Sequence, residues 1–389
     1  MLAYVFERFP KFTQTFCYRE VAEMFRQGVR PAVFSLRQPD PELRQPWAPE
    51  IVSAVHQLPE GDEFARLADK ESAHLSREIR KTLKKWRGKR DSLRLHQAVY
   101  LGPRLRALGV THVHVHFAGM AARTAWWLRE FFGFTYSLTV HANDVLVADD
   151  FQIGLPEIFA SASAIMAVSD HFAEYLRERF PAVAARVHRV YNGIDSSEFQ
   201  PARFTDPPLI LSIGRLVSIK GFDLLIAACA LMRERNFRCE IIGGGPLREE
   251  LAALISDLGA RVQLRGAQSQ AEIRARLAAA SVFALPCRVD AKGGRDNLPT
   301  VFMEAMAAGL PIISTDIGGV REMVVDGVTG HLVATENAQA LADAICRLLD
   351  QRDEARKLGA AGRERCAKMF AIENSVRELR EIFAALPSR

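Results

Sequence analysis

Two α/β domains built on parallel sheets are the architecture this sequence predicts, and three observations predict it. Short apolar runs bounded by turn residues alternate with amphipathic helical stretches almost throughout the 389 residues, which is the pattern of successive βαβ units. No repeat of roughly 20–50 residues recurs, so a solenoid or propeller is excluded. A proline-rich interruption at residues 198–209, EFQPARFTDPPL, divides the chain into halves of similar size.

In order along the first half, strands are expected at residues 2–6, 32–36, 112–116, 136–141, 164–168 and 187–191. The second half offers 209–214, 238–243, 261–265, 282–285 and 311–315. Each run is short, apolar and separated from the next by a helical stretch. A last helix is expected over residues 372–385, where Val376, Leu379 and Ile382 recur at helical spacing. Two doubly wound domains facing each other would bring the carboxyl ends of both sheets to a shared cleft, where such folds bind ligands.

Composition narrows the classes. Hydrophobic residues at 49% and charged residues at 25% match a soluble globular chain and exclude a disordered or collagen-like one. The net charge of +5 is mild, and it is local. Residues 77–94 hold nine basic residues against Glu78 and Asp91, a local charge of +7, leaving the rest near −2. Within this run Ile79, Leu83 and Trp86 recur at helical spacing opposite Arg80, Lys81, Lys84, Lys85 and Arg87. That arrangement is compatible with an anionic membrane surface, and equally with an exposed helix packing its apolar stripe on its own domain. Aromatic residues other than Trp86 are not interleaved with the basic ones, so no nucleic-acid partner is expected. Cys17, Cys229, Cys239, Cys287, Cys346 and Cys366 are scattered with no C-x-x-C, which reads as reduced core thiols of a cytosolic protein, with no zinc site or redox motif. The opening MLAYVFERFP enters a strand without a secretory signal, and no apolar stretch reaches the ~20 residues of a membrane span. A cytoplasmic location, at most peripheral on the inner face of the plasma membrane, is expected.

Three stretches can carry chemistry in the second half. SIGRLVSIKGFDLLIAA reads as a strand, a loop bearing Arg215 and Lys220, then a helix from about Phe222; the two cations can meet a diphosphate or be ordinary surface charge. EIIGGGPLREEL places Gly243, Gly244 and Gly245 between a strand and a helix, where a ligand can approach the backbone, though a bare tight turn accounts for it equally well. DNLPTVFMEAMAAGLPIISTDIGG sets Asp296 on a loop before a helix and Glu304 inside that helix, with Pro299 suited to its first turn and Gly309 and Pro311 to its end. Free amides at Thr300 and Val301 suit phosphate oxygens. A carboxylate accepts two vicinal hydroxyls, so the Asp296–Glu304 pair suits a hexose and a ribose. In the first half His112, His114 and His116 alternate along one strand and share a face, positioned either to line an acceptor site or to pack internally.

GRLVSIKGFDLLIAA, GGGPLREEL and D-N-L-P-x4-E-A-M-A-A-G-L-P-I-I-S-T-D-I-G-G-V-R-E, in that order, resemble the donor half of retaining glycosyltransferase family 4. RFPKFTQTF, HVHVHFA, HANDV, AVSDHF and RVYNGIDSSEF resemble its first half in family order. The FP-x3-Q-T-F opening and the HFA segment are similar to the branch that builds bacterial exopolysaccharides such as colanic acid. The motifs span roughly residues 8–335. The resemblance implies the GT-B fold: a Rossmann-like acceptor-binding domain over residues 1–198, a Rossmann-like donor-binding domain over 199–371, and a final helix, 372–389, crossing back onto the first.

By the same resemblance, Arg215 and Lys220 would meet the donor diphosphate and Glu304 the nucleotide ribose. Asp296 stands at the first Glu of the family's Glu-(seven residues)-Glu motif, which contacts the transferred sugar; Asp is one methylene shorter, which alters the hydroxyls it can reach. Backbone near Leu298, Pro299, Thr300 and Val301, with Gly244, would cradle the phosphates, and Gly266 and Ala267 would line the base pocket. His141 would approach the donor sugar by its ring or adjacent carbonyl, and Asp144 either caps the following turn or helps to hold the site on the sugar or acceptor side. His116 and Thr15 are the weaker candidates on the sugar or acceptor side; the loop before Thr15 lacks the Gly-Gly turn of many relatives. The partners implied are a nucleotide-diphosphate sugar and a glycan or lipid-linked acceptor. No D-x-D pair follows a strand, so no metal or other cofactor is expected, and positive side chains would take the metal's place. The rival readings are a GT-B phosphorylase or nucleotide-sugar epimerase, or a non-catalytic nucleotide-sugar-binding scaffold.

Overall fold

The structure, a computed structural model, describes residues 1–39, 47–148 and 150–386. It divides into two units: residues up to Val190 together with those from Ser375 onward, and Tyr191–Asn374. The division falls ahead of the proline-rich stretch at 198–209.

The first unit holds seven strands: β1 (Leu2–Arg8), β2 (Ala32–Arg37), β3 (Val55–Gln57), β4 (His112–His116), β5 (Thr135–Val140), β6 (Ala164–Ala167) and β7 (Val187–Arg189). They pair in parallel in the order β3-β2-β1-β4-β5-β6-β7. The second unit holds β8 (Leu209–Ile213), β9 (Arg238–Ile242), β10 (Val262–Gly266), β11 (Val282–Leu285), β12 (Ile312–Thr315) and β13 (Gly330–Val333). Its order, β10-β9-β8-β11-β12-β13, is again parallel throughout. Both sheets therefore follow the 3-2-1-4-5-6 course of a Rossmann domain, and the chain reverses direction across each sheet beside β1 and beside β8. Helices cover both faces of such sheets, which is why the central strands are continuous apolar runs rather than alternating ones; Ala3 to Val5, Val113, Val115 and Leu209 to Leu211 are all fully buried.

Two strands went unsignalled in the sequence, β3 and β13. Each lies at an edge, is three or four residues long and is largely half-exposed, so neither needs the apolar run that marks an interior strand. β5 ends one residue earlier than expected, which leaves His141 just beyond the strand. The last helix spans Ile372–Ala385. It buries Val376 and Leu379, and its Phe383 ring lies 5.8 Å from His112 and 5.1 Å from His114, so it rests on the first unit.

The basic segment forms the helix Arg77–Trp86, capped by the Ser76 hydroxyl, which accepts from the Ile79 amide at 3.3 Å. Leu83 is buried, Ile79 and Trp86 pack on the core of the first unit, and Trp86 meets Trp127 edge-on at 5.0 Å. Arg77, Arg80, Lys81, Lys84, Lys85 and Arg87 are exposed. The apolar stripe is thus spent within the protein and the charge is left outside. Among the described residues no helix is long and apolar enough to cross a membrane. All six cysteines are free, five of them buried.

Candidate functional site

The second unit gathers its motif residues at the carboxyl ends of its strands, around the crevice between β8 and β11 where the strand order reverses. Three loops are stitched together there. The Leu216 amide donates to the Gly244 carbonyl at 2.9 Å, and the Leu247 amide donates to the Leu216 carbonyl at 3.1 Å, joining the loops after β8 and β9. The Arg288 amide donates to the Ile219 carbonyl at 2.9 Å, joining the loops after β8 and β11. Glycine is required at the closest approach. A Cβ on Gly243, whose φ is +152°, would lie 1.8 Å from the Gly214 carbonyl oxygen.

On this frame Lys220 Nζ lies 2.7 Å from Asp296 Oδ2, both side chains mostly covered. The Cys287 thiol points to the same carboxylate oxygen at 3.6 Å. Burial lowers the basicity of Lys220, but Asp296 outweighs it and the ammonium is held above its usual pKa; burial followed by Asp296 pushes the Cys287 thiol up. Arg215 is exposed on the same loop and close enough to repel Lys220. Asp296 precedes the helix Thr300–Ala307, whose cap residue is Pro299 and whose first turn has no side-chain cap. A helix N-terminus in that state offers its amides and dipole to an anion. Glu304, on that helix, is only 3% exposed, so it is a buried carboxylate and not a surface charge. Gly266 and Ala267 sit beside Gly244: the Gly243 amide donates to the Gly266 carbonyl at 2.9 Å, and a Cβ on Gly244 would touch that of Ala267 at 3.9 Å. The structure therefore brings Arg215, Lys220, Asp296 and Leu298 to Val301 to one crevice, with Gly244, Gly266 and Ala267 on the adjoining loops.

The first unit has its own cluster at the equivalent reversal, between β1 and β4. His116 ends β4 and is 3% exposed. Its Nδ1 is 3.1 Å from His141 Nε2 and its Nε2 is 3.2 Å from Glu20 Oε1. The Tyr4 hydroxyl donates to the same Glu20 oxygen at 2.6 Å. Burial lowers the His116 pKa, but Cys17 and Glu20 beside it reverse that and raise it to about 10. His141 is pushed well below the ordinary value by burial and by His116. Its ring lies 4.7 Å from that of Phe16 and 4.3 Å from that of Phe117. Asp144 ties the two histidine loops together, accepting from the His141 amide at 2.9 Å and the Ala118 amide at 2.7 Å. Phe117 and Ala142, the residues that follow the two histidines, take left-handed φ values of +69° and +89°, strain of the kind found where a site must be held. Thr15 opens the helix Thr15–Arg26 and is buried. Beside His116 lies a pocket of about 220 Å³ lined in part by Arg8, Lys11, Gln14, Phe117 and Met120.

His112 and His114 are interior packing. His114 bonds Ser137 Oγ at 2.9 Å and Thr139 Oγ1 at 3.1 Å, and His112 bonds Thr135 and Ser137, each at 2.8 Å. Ligand atoms of Glu20, His114 and His116 lie within 4.8 Å of one another. The ring nitrogens of both histidines are engaged by hydrogen bonds within the protein. Tyr4, Cys17, Glu20 and Cys287 carry none of the motifs. The signal for Glu20 was available all the same: a glutamate on the buried face of an amphipathic helix needs a partner.

Sequence comparison agrees with this division. Residues 13–198 match the family model described as Glycosyltransferase Family 4, and residues 194–365 match Glycosyl transferases group 1. The amylovoran biosynthesis glycosyltransferase AmsK of Erwinia amylovora is 31% identical over 287 residues, 70% of this chain and 69% of that one. A putative colanic acid biosynthesis glycosyltransferase, WcaL of Escherichia coli, is 32% identical over 59% of this chain and 58% of its own. The GDP-mannose-dependent alpha-(1-6)-phosphatidylinositol monomannoside mannosyltransferase of Mycobacterium tuberculosis is 36% identical over 211 residues, 49% of this chain and 55% of that one, so the chain spans about half the length of such relatives. Among solved structures, sucrose-phosphate synthase from Thermosynechococcus elongatus superposes with a TM-score of 0.77 over 99% of this chain and 100% of that one, at 21% identity. The motifs, the paired Rossmann-like units and these similarities together place the chain in glycosyltransferase family 4, with the GT-B fold.

Proposed function

We propose that this protein transfers a sugar from a nucleotide-diphosphate sugar to a glycan or lipid-linked acceptor in cell-surface polysaccharide synthesis, with retention at the anomeric carbon and without a metal ion. The observation that carries this reading is the crevice between β8 and β11, where Arg215, Lys220 and an uncapped helix N-terminus gather around Asp296. The second unit takes the donor: Arg215, Lys220 and the amides of Thr300 and Val301 hold the diphosphate, Glu304 the ribose and Asp296 the sugar, with Gly244, Gly266 and Ala267 toward the base. The first unit takes the acceptor, with His116 and its pocket on that side and His141 toward the transferred sugar. The names of the relatives support an activated sugar as donor and a bacterial surface polysaccharide as destination.

As the anomeric bond breaks, negative charge builds on the departing diphosphate. Lys220, Arg215 and the helix amides face that charge before it forms, and each such group is worth ~3 kcal/mol of transition-state stabilisation. Their positive charge fills the role a divalent cation plays elsewhere. The incoming hydroxyl attacks on the leaving-group face, and a phosphate oxygen takes its proton. Thermal melting with a panel of UDP-, GDP- and ADP-sugars tests the donor site. One nucleotide class is expected to stabilise the protein, by about 2.7 kcal/mol at a hundredfold excess over its Kd, and Arg215→Ala to lose the effect. No stabilisation by any nucleotide sugar contradicts the reading.

A further inference from the structure

The hydrogen bonds of the first unit run in one line, from Tyr4 through Glu20 and His116 to His141. Protons along it are constrained. The Tyr4 hydroxyl donates to Glu20 Oε1, and a carboxylate at that depth needs a positive partner, because an unpaired buried charge is costly. His116 is the ring that meets Glu20, so His116 Nε2 donates to it. One proton lies between His116 Nδ1 and His141 Nε2, and it can belong to either ring. A cationic His116 keeps it, and His141 Nε2 must then be the acceptor. The two rings are inclined by only 21°, which suits an in-plane N–H···N bond. Among the described residues His141 Nδ1 has no hydrogen-bond partner, while the ring is fixed by Phe16 and Phe117 and its backbone by Asp144.

We propose that Glu20 and His116 are positioning residues that hold His141 neutral with its proton on Nδ1, so that the His141 Nδ1–H is a fixed hydrogen-bond donor. On the functional reading above, which this inference extends, that donor meets an oxygen of the donor substrate. The charged and titratable groups facing His116 agree with this state. Tyr4 stands on β1, Cys17 and Glu20 on the helix Thr15–Arg26, His114 on β4, His141 on the loop after β5 and Asp144 in the short helix Asn143–Leu146 that follows it. Glu20 is the carboxylate in hydrogen-bond contact with it. The raised pKa of His116 and the depressed one of His141 have the same sense. A neutral His116 would reverse the line, its Nδ1 accepting a hydrogen bond from His141 Nε2–H and leaving His141 Nδ1 an acceptor, so one buried carboxylate sets the polarity of a ring two hydrogen bonds away.

The test is the imidazole nitrogen NMR spectrum of protein labelled with ¹⁵N-histidine, with the His141 signals assigned by their loss in His141→Gln. The wild type is expected to show His141 protonated on Nδ1 only, with no titration near the ordinary histidine value, and His116 protonated on both nitrogens at neutral pH. In Glu20→Gln, whose amide oxygen still accepts from His116 Nε2, His116 loses its charge and the His141 proton moves to Nε2. The same variant is expected to lose about 10- to 100-fold in kcat/KM with nucleoside diphosphate affinity unchanged, and Glu20→Asp to restore part of it. A wild-type His141 protonated on Nε2, or tautomers unmoved by Glu20→Gln, overturns the proposal. The wild-type spectrum decides even if Glu20→Gln does not fold. It is also independent of turnover: absence of sugar transfer in the wild type would sink the functional reading and leave the relay to be judged by the spectrum.

Discussion

Lys220 lies 2.7 Å from Asp296, and that pairing decides what each substitution does. Arg215 is exposed, so Arg215→Ala is expected to cut kcat/KM ~10²-fold and leave the melting temperature unchanged. Lys220→Ala should cut it as far and also destabilise the second unit by about 1–3 kcal/mol, because it strips a mostly covered carboxylate of its partner. Steady-state kinetics and denaturant melts on the two variants check this, and near-wild-type turnover in both sinks the diphosphate assignment. Asp296→Ala is expected to change nucleoside diphosphate affinity little while cutting sugar transfer severely, whereas Glu304→Ala weakens both, since ribose is common to donor and product. Product-inhibition constants and turnover separate the two; unimpaired transfer by Asp296→Ala makes it a loop residue. These four residues stand out in the sequence because each sits within a short motif whose neighbours fix its place in the chain. The Glu20–His116 contact does not, because its partners are 96 positions apart in the chain and meet only once β1 and β4 lie side by side. The same holds for the Lys220–Asp296 pairing: both residues stood out singly, and their mutual distance depends on the crevice between β8 and β11.

Among elements, the helix Arg77–Trp86 shows how an ambiguous periodicity resolves. Its sequence permits an apolar stripe facing lipid or facing protein, and the structure turns Ile79, Leu83 and Trp86 inward. What remains outside is charge, so any attraction to an anionic bilayer is electrostatic, at about 1 kcal/mol per basic residue near the surface. We expect sedimentation with anionic vesicles at low salt that declines as ionic strength rises. Replacing Arg80, Lys81, Lys84 and Lys85 by Glu should abolish it, and equal sedimentation of that variant marks the segment as a solvated helix. The interior strands were legible for the opposite reason, since burial on both faces writes a continuous apolar run. β3 and β13 escaped notice because an edge strand is covered on fewer sides and its residues, VHQ and GHLV, carry no such run. The final helix was visible in its periodicity, but the surface it covers is set by Phe383 meeting His112 and His114, contacts that spacing alone does not specify.

For the whole molecule, the buried histidines give stability a pH window. Burial holds His112 at about 4 and keeps His114 and His141 well below the ordinary 6.5. The unfolded chain binds those protons first, so stability falls as pH drops below about 6.5. His116 is raised to about 10, and the stability it contributes is complete below about 6.5 and lost as pH rises through about 10. Denaturant melts across this range should show a maximum between the two limbs, and His116→Gln should flatten the alkaline one; a profile with no such limb in the wild type removes the charged His116. Sugar transfer from a nucleotide donor is read out by the release of free nucleoside diphosphate. With the donor that stabilises the protein, release is expected only when a glycan or lipid-linked acceptor is supplied, unaffected by EDTA and reduced ~10²-fold in Arg215→Ala. No release with any acceptor, or turnover that requires inorganic phosphate in the acceptor's place, would contradict it.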